Sequence, residues 1–308
     1  VELVVAKPST IVAIGEGMLE LSAQGSQWRL GYGGDTLNTA IHLARAGHSV
    51  AYMTALGSDP FSERLRNVDW PHEGLDTSLI LTDLQRGPGL YAITNDADGE
   101  RSFTYWRENS AAQRMFGLPE TDAAVEKAAT ADLIVYSLIT LAILPQAGRD
   151  CLYKLCDAVR SLGGKVAFDG NYRPRLWENA AAARAARDAA IARADIGLPS
   201  LEDEAALSGE QTRDAVAAHW NSLGCAEVVV KDGAFGCRLP NGITSPPGAV
   251  LSPLDTSGAG DAFNGGYLSA RMKGMLPEDA AAIGHRVAGW VVMQQGAIPS
   301  GWPATVYS

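Results

Sequence analysis

From about residue 123 onward, short apolar runs alternate with longer stretches of helical period. Residues 131–136 read as a strand, 145–162 as a helix, 165–169 as a strand, 180–194 as an alanine-rich helix and 196–198 as a short strand. The apolar runs are short and rich in β-branched residues, which marks buried strands rather than helices. Strands that alternate with helices build a parallel sheet with helices on both faces. The chain opens in the same way, with buried strands at 10–15 and 50–56 and another strand at 77–82. Ligands of such sheets bind beyond the carboxyl ends of the strands.

A glycine-rich stretch near the far end of the chain is chemically the most informative. Asp255-Thr256-Ser257-Gly258-Ala259-Gly260-Asp261-Ala262-Phe263-Asn264-Gly265-Gly266 reads as an extended segment, a tight turn and the first turn of a helix reaching about Met272. The first N–H groups of a helix lack internal partners, and the macrodipole is positive there. That end attracts anions, phosphate above all. Gly258, Ala259 and Gly260 are small enough to let backbone N–H groups approach a phosphoryl group. Asp261 follows one residue inside the helix, where a bound phosphate would repel it. Accepting the proton of a hydroxyl that attacks the γ-phosphate of ATP would give it a purpose. A glycine turn followed by an acid that suits the helix dipole explains those four residues equally well. No Gly-Lys-Ser/Thr follows, which excludes a Walker A loop. Phe263 occupies the place of the third glycine of a dinucleotide fingerprint.

A second stretch, Gly31-Tyr32-Gly33-Gly34-Asp35-Thr36-Leu37-Asn38-Thr39-Ala40, precedes a helix that runs to Ala46 and stops at Gly47. Asp35 is placed to cap it, and Leu37, Ala40, Ile41 and Ala44 form its apolar face. Asn38 lies off that face, one turn in, near Asp35. A carboxylate and an amide beside Gly33 and Gly34 suit several sugar hydroxyls, although capping alone also explains Asp35.

Residues 90–94 and 102–106 form a hairpin around an Asn-, Asp- and Gly-rich turn at 95–100. Alternation puts Phe103, Tyr105 and Arg107 on one face, and Tyr91 with Ile93 on one face of its partner. Residues 19–30 read as a short exposed strand able to join this hairpin in a small sheet over the site. A structural face accounts for the aromatic residues but leaves Arg107 in need of an anion or water. Arginine suits bidentate carboxylate recognition.

Composition narrows the partners. A formal net charge of −10 disfavours nucleic acid and anionic membranes. No apolar run approaches the ~20 residues of a membrane span, and residues 1–10 lack the regions of a signal peptide. Cys151, Cys156, Cys225 and Cys237 make no CxxC and no zinc spacing, and read as reduced core thiols of a cytoplasmic protein.

Taken together, 255–266, the Gly-Gly-Asp-x-x-Asn-x-Ala of 33–40 with Leu43-Ala44-Arg45-Ala46-Gly47, and 99–112 closely resemble the signatures of the ribokinase (PfkB) family of carbohydrate kinases. The resemblance runs from Gly15 to Ser300. It implies an α/β ribokinase-like fold, with a large domain from 1–15, 33–86 and 109–308 and a discontinuous β lid from 16–32 and 87–108. It implies Asp261 as the catalytic base and Gly258, Ala259 and Gly260 as the anion hole. Gly99-Glu100-Arg101-Ser102-Phe103-Thr104-Tyr105-Trp106-Arg107 is similar to the lid strand of the members that phosphorylate 2-keto-3-deoxygluconate. On that basis Tyr91, Tyr105 and Arg107 join Gly34, Asp35 and Asn38 around a sugar acid. Asp169-Gly170-Asn171-Tyr172-Arg173 implies Arg173 at the substrate and Asn171 on the phosphoryl path, although a plain turn explains Asp169 and Asn171.

The family's Asn-x-x-Glu, which helps hold Mg²⁺ through water near the phosphates, is replaced here by Ser200 and Asp203, with Glu204 as a rival. By the same resemblance the turn of Lys231, Gly233 and Gly236 lines the ATP site with its backbone, although a plain hairpin turn explains it equally well. A loop at 296–300 resembles one that holds a monovalent cation such as K⁺. The resemblance also implies a homo-oligomer formed through the lid. A kinase of a neutral sugar or nucleoside, and a non-catalytic sugar-acid sensor, stay open as readings of the sequence.

Overall fold

The computed structural model describes residues 10–95 and 101–308. The lead-in at 1–9 and the hairpin turn at 96–100 lie outside the described residues. Twelve strands in chain order position the site: β1 Thr10–Ile14, β2 Met18–Gln24, β3 Gln27–Gly33, β4 Ser49–Leu56, β5 Leu75–Asp76, β6 Ile80–Thr82, β7 Leu90–Asn95, β8 Arg101–Trp106, β9 Leu133–Ser137, β10 Lys165–Asp169, β11 Ile196–Gly197 and β12 Glu227–Val228.

Eight of them form one sheet in the order β12-β11-β10-β9-β1-β4-β5, with β6 also against β4. Every pair in it is parallel, with Val12 between Ala51 and Ile134. Alternate residues of each strand enter two cores. Val12, Ile14, Ile134, Tyr136, Val166 and Phe168 face one, and Ile11, Ala13, Leu133, Val135 and Ala167 face the other. The first core is closed by the helices Gln146–Ser161, Ala180–Ile191 and Arg213–Ser222, the second by Asp35–Arg45, Ala259–Met272 and Pro277–Val292. The alanine-rich helix buries Ala183, Ala186 and Ala190, whose small side chains let it lie close to the sheet. Phe168 stacks on Trp220 at 5.6 Å between ring centroids. A Cβ on Gly197 would come within 2.5 Å of the Trp220 ring, so the strand accepts only glycine there.

The chain builds β4 on one side of β1 and β9 on the other. A crevice therefore opens beyond the carboxyl ends of β1, β9 and β10, at Gly15, Ser137 and Asp169, where ligand sites of such sheets lie.

A second sheet has the order β3-β2-β7-β8. The stretch at 19–30 is a hairpin of two strands rather than one strand. Its two-residue turn at Gly25 and Ser26 is made by Gly25 at φ 63°. Polar side chains flank that turn on both strands, which hides the reversal in the sequence. The strand at 77–82 shortens to β6, since Thr77 instead accepts the N–H of Ile80 in a turn. Between Glu227 and Lys231 the extended chain is interrupted at Val229. Its first half is β12; its second half, β13 Val230–Lys231, starts an antiparallel sheet with β14 Cys237–Arg238 and β15 Thr244–Ser245.

Candidate active site

Two helix N-termini meet over the crevice. The Ala259–Met272 helix begins one residue earlier than the expected place of Asp261, one residue inside it, requires, with Gly258 as its cap in the left-handed region at φ 70°. Asp261 is therefore the third residue of the helix. Ala259 N–H donates to Thr256 O at 3.3 Å, and Ala262 N–H closes the first helical bond to Gly258 O at 2.8 Å. The Gly260 and Asp261 N–H groups are the remaining donors of that end. A Cβ at Gly258 would come within 2.5 Å of the Ala297 Cβ, so the turn sits hard against the 296–300 loop. Asp255 holds the loop and the turn together, accepting from Ser257 N–H at 2.9 Å and from Gly296 N–H at 2.5 Å.

The Asp35–Arg45 helix is capped by Gly34, not by Asp35. Gly34 has φ 151°, and a Cβ on it would come within 2.3 Å of the Glu16 carbonyl oxygen. Asp35, freed from capping, accepts from Asn171 Nδ2 at 3.2 Å and is offered a further hydrogen bond by Ser137. One turn on, Asn38 Nδ2 donates to Asp261 Oδ2 at 2.8 Å, and Thr39 Oγ1 donates to the Asp261 carbonyl at 3.3 Å. The two glycine-rich stretches thus form one site.

Three carboxylates, Asp35, Asp169 and Asp261, share the crevice. Asp261 keeps some solvent contact, yet its carboxyl is enclosed. Enclosure, followed by the charge of Asp35, pushes it up to about 8, against the opposing pull of the Asn38 hydrogen bond and the Lys231 charge. Burial raises Asp35 as well, with Asp169 adding to it. The cation beside Asp169 and Asp261 is Lys231, which the sequence offered only as part of a backbone turn. Its Nζ donates to Asp169 Oδ1 at 3.1 Å and to Asn264 Oδ1 at 3.0 Å, while Asn264 Nδ2 donates to Asp169 Oδ2 at 2.8 Å. This closed ring sits under the glycine turn, 3.7 Å from where a Gly260 Cβ would be.

The second sheet covers the other side. A Cβ on Gly33 would lie 2.3 Å from the Tyr91 hydroxyl, which donates to Glu20. Tyr105 packs on Tyr91 at 5.9 Å and is 42% exposed, whereas Arg107 is buried and ion-paired with Glu16. Glu16 carried no signal in the sequence beyond its place after β1, and the structure makes it Arg107's partner.

The remaining residues form a neighbouring group. Ser200 caps the Leu201–Ser208 helix by accepting from Asp203 N–H at 3.1 Å, and it bridges to Lys231. Asp203 Oδ1 accepts from Arg173 Nη1 at 3.1 Å. Burial raises the Asp203 carboxyl and Arg173 lowers it. Gly233 at φ 51° and Gly236 at φ 88° shape the turn after Lys231. Glu204 is turned into the core, paired with Arg187 at 2.5 Å and Trp220 Nε1 at 3.1 Å, which leaves Asp203 as the carboxylate at this edge. Among the described residues no cluster of three or more His, Cys, Asp or Glu is placed to hold a metal. One carboxylate and one hydroxyl do suit a hydrated Mg²⁺ carried mainly by nucleotide phosphates.

The chain is similar to known carbohydrate kinases. The model of the pfkB family carbohydrate kinases matches residues 9–305. A 2-dehydro-3-deoxygluconokinase of Dickeya dadantii is 42% identical over 94% of this chain and 96% of its own. The crystal structure of a 2-dehydro-3-deoxygluconokinase from Thermotoga maritima superimposes with a TM-score of 0.81 at 21% identity, over 95% of this chain and 96% of that one. A putative ribokinase II from Escherichia coli, in complex with ATP and Mg²⁺, does so with a TM-score of 0.79 at 22% identity, over 94% of each chain.

Proposed function

The chain belongs to the pfkB family of carbohydrate kinases, and from that premise we propose that it transfers the γ-phosphoryl group of ATP to the 6-hydroxyl of 2-keto-3-deoxy-D-gluconate, the sugar acid named in its 42% identical relative. The observation that carries the mechanism is the Asp261 carboxyl, held by Asn38 at 2.8 Å on the first turn of the Ala259–Met272 helix.

Asp261 takes the proton of the attacking hydroxyl. A carboxyl raised to about 8 is a stronger base toward an alcohol than an ordinary carboxylate of reference pKa ~3.9. The transition state of phosphoryl transfer is loose, so positioning and charge neutralisation contribute more than the base. Gly258, Ala259 and Gly260 supply the anion hole, and Lys231 adds a fixed positive charge beneath it. Gly34, Asp35 and Asn38 hold sugar hydroxyls, Tyr91 and Tyr105 line the second sheet, and Arg107 reads the acid group. Arg173, beside Asp203, adds positive charge at the substrate, and Asn171 borders the phosphoryl path. Ser200, Gly233 and Gly236 line the nucleotide. Asp203 would hold Mg²⁺ through water, and the ion would supply charge neutralisation at the phosphates. We assign K⁺ to the 296–300 loop beside Asp255.

The second sheet, with 16–32 and 87–108, is the lid in this reading. Its face away from the site exposes Trp28 and Trp106, each 54% exposed, which supports association with a second copy of the chain. None of the four cysteines forms a disulfide, which supports a reducing, cytoplasmic location. No helix among the described residues is long and apolar enough to cross a membrane. ADP release with Mg-ATP and the sugar acid tests the proposal, and saturable binding without turnover would contradict it.

A further inference from the structure

Glu16 stands just beyond the carboxyl end of β1, where the main sheet meets the second sheet, and is 2% exposed. Arg107, at the end of β8, is 8% exposed and donates to Glu16 Oε2 from Nη2. Arg107 Nε is buried without a hydrogen-bond partner in the protein, and Ser110 flanks the Glu16 carboxyl. The backbone around the pair is tailored to it. A Cβ on Gly89 would come within 2.7 Å of Glu16 Oε1 and 3.3 Å of Arg107 Cβ. Asp35 adds negative charge near both residues, so the single guanidinium faces two carboxyl groups before any substrate arrives.

An orphaned buried N–H on a charged group is costly unless a ligand completes it. A free arginine also loses rotamer freedom when it engages an anion, and a side chain already held loses less. We propose that Glu16 is the positioning residue for sugar-acid specificity: it grips Nη2 of Arg107 and so presents the remaining guanidinium donors, Nε among them, to the substrate carboxylate. This rests on the reading of Arg107 as the group that recognises the acid. Glu16 acts through Arg107 and does not itself contact substrate.

The test is a double-mutant cycle on the full chain, with KM and kcat for 2-keto-3-deoxygluconate at saturating Mg-ATP and the thermal midpoint of each variant. Glu16→Ala should raise KM by about tenfold with kcat changed less than about threefold, the loss of one preorganised side chain. Glu16→Gln keeps the acceptor and loses the charge, so its KM should rise by only about two- to fivefold. In an Arg107→Ala background neither change should move KM further. An unaltered KM in Glu16→Ala, or an effect that adds in full to that of Arg107→Ala, overturns the proposal and leaves the acid reading of Arg107 standing. An unaltered KM in Arg107→Ala alone overturns that reading and the proposal with it. Should Glu16→Ala not fold, Glu16→Gln in both backgrounds decides in the same way.

Discussion

Asn38 and Asp261, 223 residues apart in sequence, are joined by a 2.8 Å hydrogen bond from the Asn38 amide to the Asp261 carboxylate. The bond ties the first turn of one helix to the first turn of another and fixes the base beside the glycine turn. It also offsets part of the burial that raises the Asp261 carboxyl.

Replacing Asp261 by Asn removes the base and leaves the glycine turn intact. kcat should fall by about 10²–10⁴-fold, the usual worth of a positioned base. Nucleotide affinity, followed by equilibrium titration with a non-hydrolysable ATP analogue, should stay within about threefold. Unchanged turnover would remove Asp261 from the mechanism.

The acidic limb of kcat/KM should lie well above the ordinary carboxylate range, because Asp261 must lose its proton to act and sits at about 8 in the free site. Activity rises with pH through that value. Asn38→Ala removes a bond that favours the anion, so the limb should move to still higher pH. A limb that moves down, or stays, would mean that another group controls it.

The same shift has a stability consequence. A carboxyl raised in the fold favours the native state below its unfolded value near 3.8, and that contribution is lost as pH rises toward about 8. Asp261→Asn carries no such loss. Its melting temperature should exceed that of the parent by about a few degrees at pH 8, with the difference closing toward pH 4. Equal melting curves at both pH values would show that Asp261 is not a strained acid.

The glycine turn offers a contrast between fold and chemistry. Gly258→Ala forces a side chain into the left-handed region and onto Ala297, so it should destabilise the protein by about 1–3 kcal/mol in denaturant unfolding. At Gly260 a Cβ meets nothing closer than Lys231 Nζ at 3.7 Å. Gly260→Ala should therefore fold normally yet lose kcat and ATP affinity, because the methyl group takes the space of a phosphoryl oxygen.

Arg107→Ala leaves a substrate carboxylate unpaired in a dry site, a loss of about 2–5 kcal/mol, or ~30-fold to several thousand-fold in kcat/KM. Most of it should fall on KM for the sugar acid. Equal losses on acid and neutral sugars would make Arg107 a structural residue.

The parallel sheet was legible because strands buried on both faces write continuous apolar runs, as at β1 and β9. The second sheet was half legible. β7 and β8 alternate clearly, whereas β2 and β3 carry polar residues around Gly25 and hide their turn. Asp261 and Asn38 stand on first helical turns, which leave local marks in the sequence. Lys231, Asp169 and Asn264 could not be read as a ring, since three separate elements bring them together. Glu16 was silent for the same reason: its partner Arg107 is 91 residues away. Asp35 was misplaced as a cap because Gly34 takes that position at φ 151° and frees the Asp35 side chain for the crevice.

The most direct test of the account is ADP release in a coupled assay with Mg-ATP, comparing 2-keto-3-deoxygluconate with fructose, ribose and adenosine. The account predicts strong preference for the keto acid, with the preference lost in Arg107→Ala and turnover lowered by about 10²–10⁴-fold in Asp261→Asn. Faster turnover of a neutral substrate would contradict the assignment of the sugar acid.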